Sequence, residues 1–253
     1  MLILLSPAKT LDMTPAAGPT TQPRLLDDTR ELATQLREHS RADLQDLMHV
    51  SEKLADLNYQ RYQDFALPFT ADNAKPAGLA FRGDVYTDLR ADDFTAEEEA
   101  FANRQIRILS GLYGVLRPRD LMQAYRLEMG SRLATARGKN LYEFWGDRIS
   151  RVLNEDLAEQ NDDLILNLAS QEYFKSVRPA DLNGRVLTAH FKEKKGDRYR
   201  VVAFNAKRAR GRMAHLIVRE GITTAAPLRE LVVNDYVYND ALSTADDWVW
   251  TRE

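Results

Sequence analysis

A turn with two glycines carries backbone groups well suited to holding a phosphate. Two glycines three residues apart let the chain reverse without Cβ clashes. The amides of such a turn, with the start of a helix predicted to open at Pro118, could donate hydrogen bonds to phosphate oxygens. The turn and its neighbouring arginines form the first set of candidate DNA-binding residues: Gly111, Leu112, Tyr113, Gly114, Arg117 and Arg119.

This pattern predicts a helix–hairpin–helix within about residues 97–126, a module that grips the nucleic-acid backbone without reading bases. Thr95 and Glu98 form a capping box, and the helix that follows is predicted to run to about Leu109. The usual hairpin has one hydrophobic residue between its glycines, whereas this one has two. An ordinary helix end followed by a turn is the alternative.

A second set of candidate DNA-binding residues is cationic and lies further along the chain: Lys192, Lys194, Lys195, Lys207, Arg208, Arg210 and Arg212. Predicted strands at 185–192 and 198–204 flank a turn containing Gly196, and a helix is predicted over about 206–220. A basic β-hairpin followed by a basic helix could line a groove for a phosphate chain. The alternative is a solvated helix face, although few acidic residues lie close enough to neutralise it.

A third set would support an enzyme acting on nucleotides or nucleic acid. Its candidate catalytic residues are Lys9, Asp84, Glu128 and Glu172, with Tyr125 and Tyr173 beside them. In this hypothesis they converge in one cleft and perform acid–base chemistry. Alternatively, each charged group belongs to a structural ion pair. Carboxylates with perturbed pKa values at the base of a basic cleft would favour the enzyme, and dispersed, ion-paired carboxylates would favour binding alone.

The residue inventory argues against several other chemistries. The chain has no cysteine, which removes disulfides, thiolate catalysis and cysteine-ligated metals. The four histidines show no metal-binding spacing, so neither a metal nor a cofactor is expected. Without a thiolate, the chain cannot sense or destroy peroxide through cysteine oxidation.

Charge is segregated along the 253 residues although the net charge is only −3. Residues 101–151 carry +6 and residues 175–219 carry +10, against −19 in the remainder. Such concentration suggests a local positive field that attracts polyanions, unless the acidic segments cancel it in the fold. No apolar run approaches the roughly 20 residues of a membrane span, so we expect no membrane contact. The absence of cysteine is compatible with a cytoplasmic protein, and no obligate protein partner is evident from the sequence.

The elements that must position these residues alternate between helices and strands. Helices are predicted at 25–39, 41–49, 51–66 and 141–158, and strands at 2–5, 79–81, 164–168 and 231–238. Ser40 and Asp43 form a weak capping box for the second helix, and Ser170 could cap a helix that begins at Gln171. The mixture and the hairpin argue against a purely parallel sheet. We therefore expect a mixed α/β (α+β) fold, a single domain over residues 1–253.

Six ordered blocks of the chain, taken together, resemble the YaaA family of peroxide-stress resistance proteins. The blocks are LLSPAKTLD, GLAFRGDVYTDLRA, LSGLYGVLRPRDLMQAYRLEMGS, NLYEFWGDRIS, LNLASQEYFKSV and NAKRARGRMAHLI. They span the chain from Leu2 to about Arg252. Ala124 stands where proline is expected in this family, a departure that concerns only the local backbone.

The resemblance implies a cytosolic protein of unusual mixed α/β fold that protects against hydrogen peroxide and is linked to DNA repair. It further implies sequence-tolerant binding of double-stranded DNA through a positively charged cleft and a helix–hairpin–helix, which falls on Ser110 to Pro118. It transfers no catalytic residue. Protection would be indirect, through shielding or repair of DNA or through limiting iron-driven damage.

Overall fold

An eight-stranded, mostly parallel β-sheet forms the centre of the computed structural model, which describes residues 1–253. The chain has twelve strands: eight form this sheet, β2 pairs with β4, and β3 pairs with β7. They are β1 Leu2–Leu5, β2 Thr10–Leu11, β3 Lys75–Pro76, β4 Phe81–Arg82, β5 Ile106–Ser110, β6 Gly114–Leu116, β7 Leu121–Met122, β8 Leu164–Asn167, β9 Arg185–Lys195, β10 Arg198–Arg200, β11 Val237–Tyr238 and β12 Asp247–Arg252. The α-helices are α1 Leu26–Arg37, α2 Arg41–Met48, α3 Glu52–Asp64, α4 Ala77–Ala80, α5 Asp84–Leu89, α6 Ala96–Gln105, α7 Leu141–Trp145, α8 Arg148–Gln160, α9 Gln171–Phe174 and α10 Ala203–Glu220.

The strand order places β1 in the middle of the sheet. The order is β11–β12–β9–β8–β1–β5–β6, with β10 paired to β9. Strands β12, β9, β8, β1 and β5 are mutually parallel, whereas β6, β10 and β11 are antiparallel to their neighbours. The chain leaves β1 for β5 on one side and later returns to β8 on the other. In open α/β sheets, ligands bind outside the carboxyl ends of the strands at such a reversal.

The mixed α/β fold predicted from the sequence is confirmed, and its local signals explain much of it. All four residues of β1 are fully buried, as expected for a central parallel strand covered on both faces. Both capping boxes form, with the Ser40 and Thr95 side chains accepting from the third residue of α2 and α6. The hairpin β9–β10 turns at Gly196 with φ 62°. None of the helices is both long enough and apolar enough to cross a membrane.

The predicted helix–hairpin–helix is wrong. Helix α6 ends at Gln105, and Ile106–Ser110 forms strand β5 beside β1. After the turn, the chain returns as β6, antiparallel to β5, and no helix begins before Leu141. The two glycines therefore join two strands. A short apolar run buried on both faces of a sheet has no helical or strand periodicity of its own, which explains the error.

Three other predictions fail in part, each where a turn interrupts an apolar run. The segment predicted as a strand at 79–81 is mostly the short helix α4. The helix predicted at 141–158 is divided into α7 and α8 at Gly146, which has φ 54°. Only Val237–Tyr238 of the predicted strand at 231–238 is extended in the sheet, and β12 was not predicted.

Candidate functional site

A cavity of about 520 Å³ opens at the carboxyl edge of the sheet, where the strand order reverses. The segments that follow β1 and β8 form one part of its wall, and the loop after β7, the start of α5 and one side of α10 complete it. Its volume lies within the range of about 300–1,000 Å³ that is usual for small-molecule sites. The charged residues that line it are Lys9, Arg82, Asp84, Arg126, Glu128, Glu172, Lys207 and Arg210.

Two serines fix the floor of the cavity where the central strands end. The Ser170 amide donates to Ser6 Oγ at 2.8 Å, and the two hydroxyl oxygens lie 3.3 Å apart. Ser170 also caps α9, as the sequence predicts. The Tyr86 hydroxyl donates to the Ser6 carbonyl at 2.9 Å. The segments carrying Lys9 and Glu172 are thereby held against each other.

Glu128 is the centre of an ion-pair cluster inside the cavity. Lys9 Nζ lies 2.8 Å from Glu128 Oε2, and Arg126 Nη2 lies 3.3 Å from Glu128 Oε1. The Lys9 side chain is 61% exposed, so its ammonium group faces the open part of the cavity. The cluster therefore presents a reachable amine beside a carboxylate, an arrangement that supports either proton transfer or ligand binding.

The other two carboxylates of the cavity, Glu172 and Asp84, form fewer interactions than Glu128. Glu172 Oε1 accepts from the Gly130 amide at 2.9 Å, and neither of its oxygens forms an ion pair within 4.0 Å. Asp84 Oδ2 lies 4.0 Å from Lys207 Nζ, a contact between two partly exposed groups. Both carboxylates thus keep lone pairs that could accept hydrogen bonds from a ligand. The four residues of the enzyme hypothesis are accordingly gathered in one place.

Arg210 is the cavity cation with the fewest interactions. It has no carboxylate within 4.0 Å, and its Nε is buried without a hydrogen-bond partner. Arg208, on the same helix, differs because its guanidinium donates two hydrogen bonds to the Asp88 carboxylate, at 2.9 and 3.0 Å. Burial lowers the pKa of Arg210, since no nearby anion offsets the loss of hydration.

Two tyrosines beside the cavity keep their protons. Burial raises the pKa of Tyr125 well above its ordinary value, despite a 2.7 Å hydrogen bond between its hydroxyl and Ser110 Oγ. Burial also raises the pKa of Tyr173, and the negative charges of nearby Glu172 and Glu128 raise it further. Both are therefore neutral hydroxyls at physiological pH, not phenolate bases.

The glycine turn lies in the protein interior, where its amides are not accessible to a phosphate. Residues 111–114 are all buried, and the Trp145 indole donates to the Gly111 carbonyl at 3.0 Å. A Cβ on Gly111 would lie 2.2 Å from the Leu127 carbonyl oxygen, so this glycine is required for packing. Arg117 pairs with Asp120 at 2.8 Å and Arg119 with Glu99 at 3.1 Å. The expectation of exposed turn amides between free arginines is therefore incorrect.

The cationic residues of the hairpin and helix divide into two groups. Lys194 pairs with Glu253 at 2.7 Å, and Arg208 with Asp88. By contrast, several others have no carboxylate within 4.0 Å: Lys192, Lys195, Arg198, Arg200, Arg210 and Arg212. The acidic segments of the chain thus cancel only part of this charge.

Three of the unpaired hairpin cations share one face. Lys195 lies directly opposite Arg198 in the β9–β10 register, and Arg200 lies opposite Glu193. Glu193 is already held by Arg252 at 2.9 Å and by Asn205 at 2.7 Å. Like charges facing each other across a hairpin destabilise it, so this face favours an anionic partner. We call Lys195, Arg198 and Arg200 the cationic face.

The hairpin extends past the edge where the cavity opens. Strand β9 pairs with β8 only as far as Thr188, and its remaining residues continue beyond the carboxyl end of β8. At about 3.3 Å per residue, the overhang from Ala189 to Lys195 amounts to roughly 20 Å. The cationic face is therefore displaced toward the same side of the sheet as the cavity.

Arg82 and Arg126 line the cavity but were not among the site residues predicted from the sequence. Arg82 pairs with Asp12 at 3.1 Å and ends β4, just before Gly83 and the start of α5. A short basic–Gly–acidic run after a strand, as in Phe81–Asp84, is the signal that could have drawn attention to Arg82. No group of three or more His, Asp or Glu side chains is placed to hold a metal ion.

The fold and the site together define an α/β protein with a charged cavity at the switch point of its sheet. Comparison with known proteins gives the family: the model described as "Peroxide stress protein YaaA" matches residues 1–242. The chain belongs to this family of peroxide stress proteins. It is also 48% identical over 255 residues to a UPF0246 protein from Cellvibrio japonicus (strain Ueda107), an alignment that covers 100% of this chain and 99% of that protein.

Proposed function

We propose that this protein acts in the peroxide stress response by binding double-stranded DNA without reading its bases. The cationic face carries this proposal. Its three side chains point to one side of a projecting hairpin, and none has a carboxylate within 4.0 Å. Duplex DNA presents phosphates at regular spacing, and cations that neutralise them gain affinity by releasing counterions.

Arg212 extends this surface toward α10. It lies two turns after Asn205, whose side chain contacts the hairpin through Glu193. Lys192 lies three residues before Lys195 on β9, so its side chain is on the opposite face of the strand and is not part of this surface. Contacts of this kind position a duplex but carry no sequence information, which agrees with sequence-tolerant binding. Because the chain has no cysteine, protection from peroxide would be indirect, through covering DNA, through helping to repair it or through limiting iron-driven damage.

The test is the salt dependence of duplex binding, measured by fluorescence anisotropy between about 50 and 200 mM salt. Replacing Lys195, Arg198 and Arg200 together by glutamine should reduce the slope of log affinity against log salt by about 2.7, or 0.9 for each lost phosphate contact. Replacing Arg30, Lys53 and Arg104 by glutamine removes the same charge from exposed positions on α1, α3 and α6. This control should leave the slope nearly unchanged. Absence of duplex binding, or equal slopes for the two variants, would refute the proposal.

A second candidate function is an enzyme acting on nucleotides or nucleic acid. One observation favours it: Lys9, Asp84, Glu128 and Glu172 come from distant parts of the chain and line one cavity. In such an enzyme Glu172 would accept a proton, and the Lys9–Glu128 pair would supply one. Glu172→Gln should abolish turnover of nucleotide or DNA substrates while leaving the duplex affinity unchanged. Wild-type protein that produces no product from either substrate class would exclude this function.

A further inference from the structure

Two arginines in the cavity have a buried donor with nothing to bind. Four buried side-chain nitrogen or oxygen atoms of the molecule lack a hydrogen-bond partner, and two of these are the Nε atoms of Arg126 and Arg210. Both arginines line the cavity at the switch point. A buried donor without a partner costs about 1–3 kcal/mol, so its recurrence in one cavity calls for an explanation.

From these two donors we propose that the cavity binds a mononucleotide, with Arg126 and Arg210 holding its phosphate. This inference deepens the second candidate function by naming the ligand of its cavity, and it does not depend on turnover. Guanidinium groups match phosphate geometry because they donate parallel hydrogen bonds from a planar fork. A bound phosphate would give both orphaned Nε atoms an acceptor.

Arg210 is free to take this role because the acids around it are engaged elsewhere. Arg208, two residues before it on α10, is fixed by Asp88, while Arg210 lacks any carboxylate within 4.0 Å. Only one nitrogen of Arg126, Nη2, contacts Glu128, at 3.3 Å. The charged residues lining the cavity are five cations and three carboxylates, an excess that favours an anionic ligand.

The rest of the cavity suits the sugar and base of a nucleotide. A volume of about 520 Å³ is far larger than inorganic phosphate needs. Glu172 and Asp84 keep carboxylate lone pairs available, and these accept hydrogen bonds from sugar hydroxyls or from amino groups of a base. The neutral hydroxyl of Tyr173 adds a further polar contact beside apolar Leu168.

Isothermal titration of the full-length protein with deoxyadenosine monophosphate tests the site, with deoxyadenosine and inorganic phosphate as comparison ligands. The monophosphate should bind at least tenfold more tightly than either fragment. Arg210→Met and Arg126→Met should each weaken it at least tenfold. The matched control is Arg219→Met, which removes an arginine from the same helix, outside the cavity, where it pairs with Glu98.

A second variant protects the test against misfolding. Ala8→Phe fills the cavity from its wall while leaving every charge in place, and it should weaken monophosphate binding by a similar factor. Wild-type affinity in Ala8→Phe, no binding of the monophosphate at millimolar concentration, or equal binding of phosphate alone would overturn the proposal. None of these results depends on duplex affinity or on product formation.

The nucleotide could be free or part of a DNA strand, and a competition experiment separates these sources. Labelled DNA with a single-stranded end is titrated with protein in the presence of saturating deoxyadenosine monophosphate. Competition that is lost in Ala8→Phe assigns the nucleotide to the strand, and unaffected DNA binding assigns it to free mononucleotide. Failure of the cavity variants to alter either ligand's binding would overturn both assignments.

Discussion

Two basic segments of this chain differ in how far the fold neutralises their cations. In Ile106–Asp120 all three arginines are paired, Arg107 with Asp156, Arg117 with Asp120 and Arg119 with Glu99. In Lys192–Arg212, six of nine cations have no carboxylate within 4.0 Å. Net charge along a sequence therefore does not reveal an electrostatic field. The positions of the distant acids decide which cations are neutralised and which remain available to a polyanion.

The strongest way to test the structural role of the first segment is to remove its buried anion. Asp156 lies between Arg107 and Arg24, with distances of 2.6 Å to each, and Arg107 is only 3% exposed. Asp156→Ala leaves that guanidinium buried and uncompensated, which should cost about 3–5 kcal/mol of unfolding free energy. Urea denaturation measures the loss.

Asp147→Ala is the matched control for Asp156→Ala. Asp147 forms an exposed pair with Arg151 near the start of α8, the helix that carries Asp156. Its removal should cost less than about 1 kcal/mol. Equal losses in the two variants would contradict the distinction between buried and exposed pairs.

A methyl group on the glycine turn should have the next largest effect. A Cβ on Gly111 would collide with the backbone of Leu127, so Gly111→Ala should destabilise the fold by about 2–3 kcal/mol. Gly196→Ala, at the hairpin tip, meets nothing within 4 Å and costs only the roughly 1 kcal/mol of its left-handed backbone. Thermal unfolding compares them. A Gly111→Ala protein that kept its stability but lost DNA binding would instead support an exposed phosphate-binding turn.

Single-arginine variants should then separate the two segments by their readouts. Arg198→Gln removes one exposed cation, so the salt slope of duplex binding should fall by about 0.9 while stability is unchanged. Arg119→Gln should leave the slope unchanged but cost about 1 kcal/mol, because it breaks the contact with Glu99. A lower salt slope in Arg119→Gln together with a loss of stability in Arg198→Gln would show that the first segment binds DNA and the second is structural.

The smallest effect concerns the inner side of α10. Burial lowers the pKa of His215, whose Nδ1 lies 2.9 Å from the Leu89 carbonyl oxygen and whose ring stacks on Phe94. The unfolded chain, with a histidine pKa of about 6.5, binds the proton more readily, so stability should fall as the pH drops below 7. The slope cannot exceed about 1.4 kcal/mol per pH unit for one group.

Stability measured from pH 8 to pH 5 in wild type and His215→Gln checks this effect. The difference between the two proteins should flatten once the pH is below the folded-state pKa of His215. The control variant is His49→Asn, which replaces an exposed histidine at the end of α2. Asparagine tolerates the left-handed backbone at that position. A pH dependence that survives in His215→Gln would show that other groups cause it.

Local signals in the sequence predicted local structure well. The capping boxes at Ser40 and Thr95, the cap at Ser170 and the turn at Gly196 each depend on residues within four positions of one another. Their physics is complete within a short segment, so one sequence suffices. The family resemblance, carried by six ordered blocks, identified the family correctly.

Features that depend on distant partners were not predictable. Ile106–Ser110 becomes a strand because β1, a hundred residues earlier, offers it a buried edge. Nothing near Arg117 or Arg210 in the sequence shows that the first is neutralised and the second is not. The enzyme hypothesis named four residues that do share a cavity, although the sequence could not show whether they meet.

The central position of β1 has a consequence for biosynthesis. Its two neighbours in the sheet begin at Ile106 and Leu164, so one edge of Leu2–Leu5 stays unpaired until β5 has been translated and the other until β8 has been translated. At about 5–20 residues per second, a ribosome takes on the order of 10–30 s to supply both neighbours. During that interval the nascent chain carries an apolar strand without its partners, and unpaired strand edges of this kind are prone to aggregation.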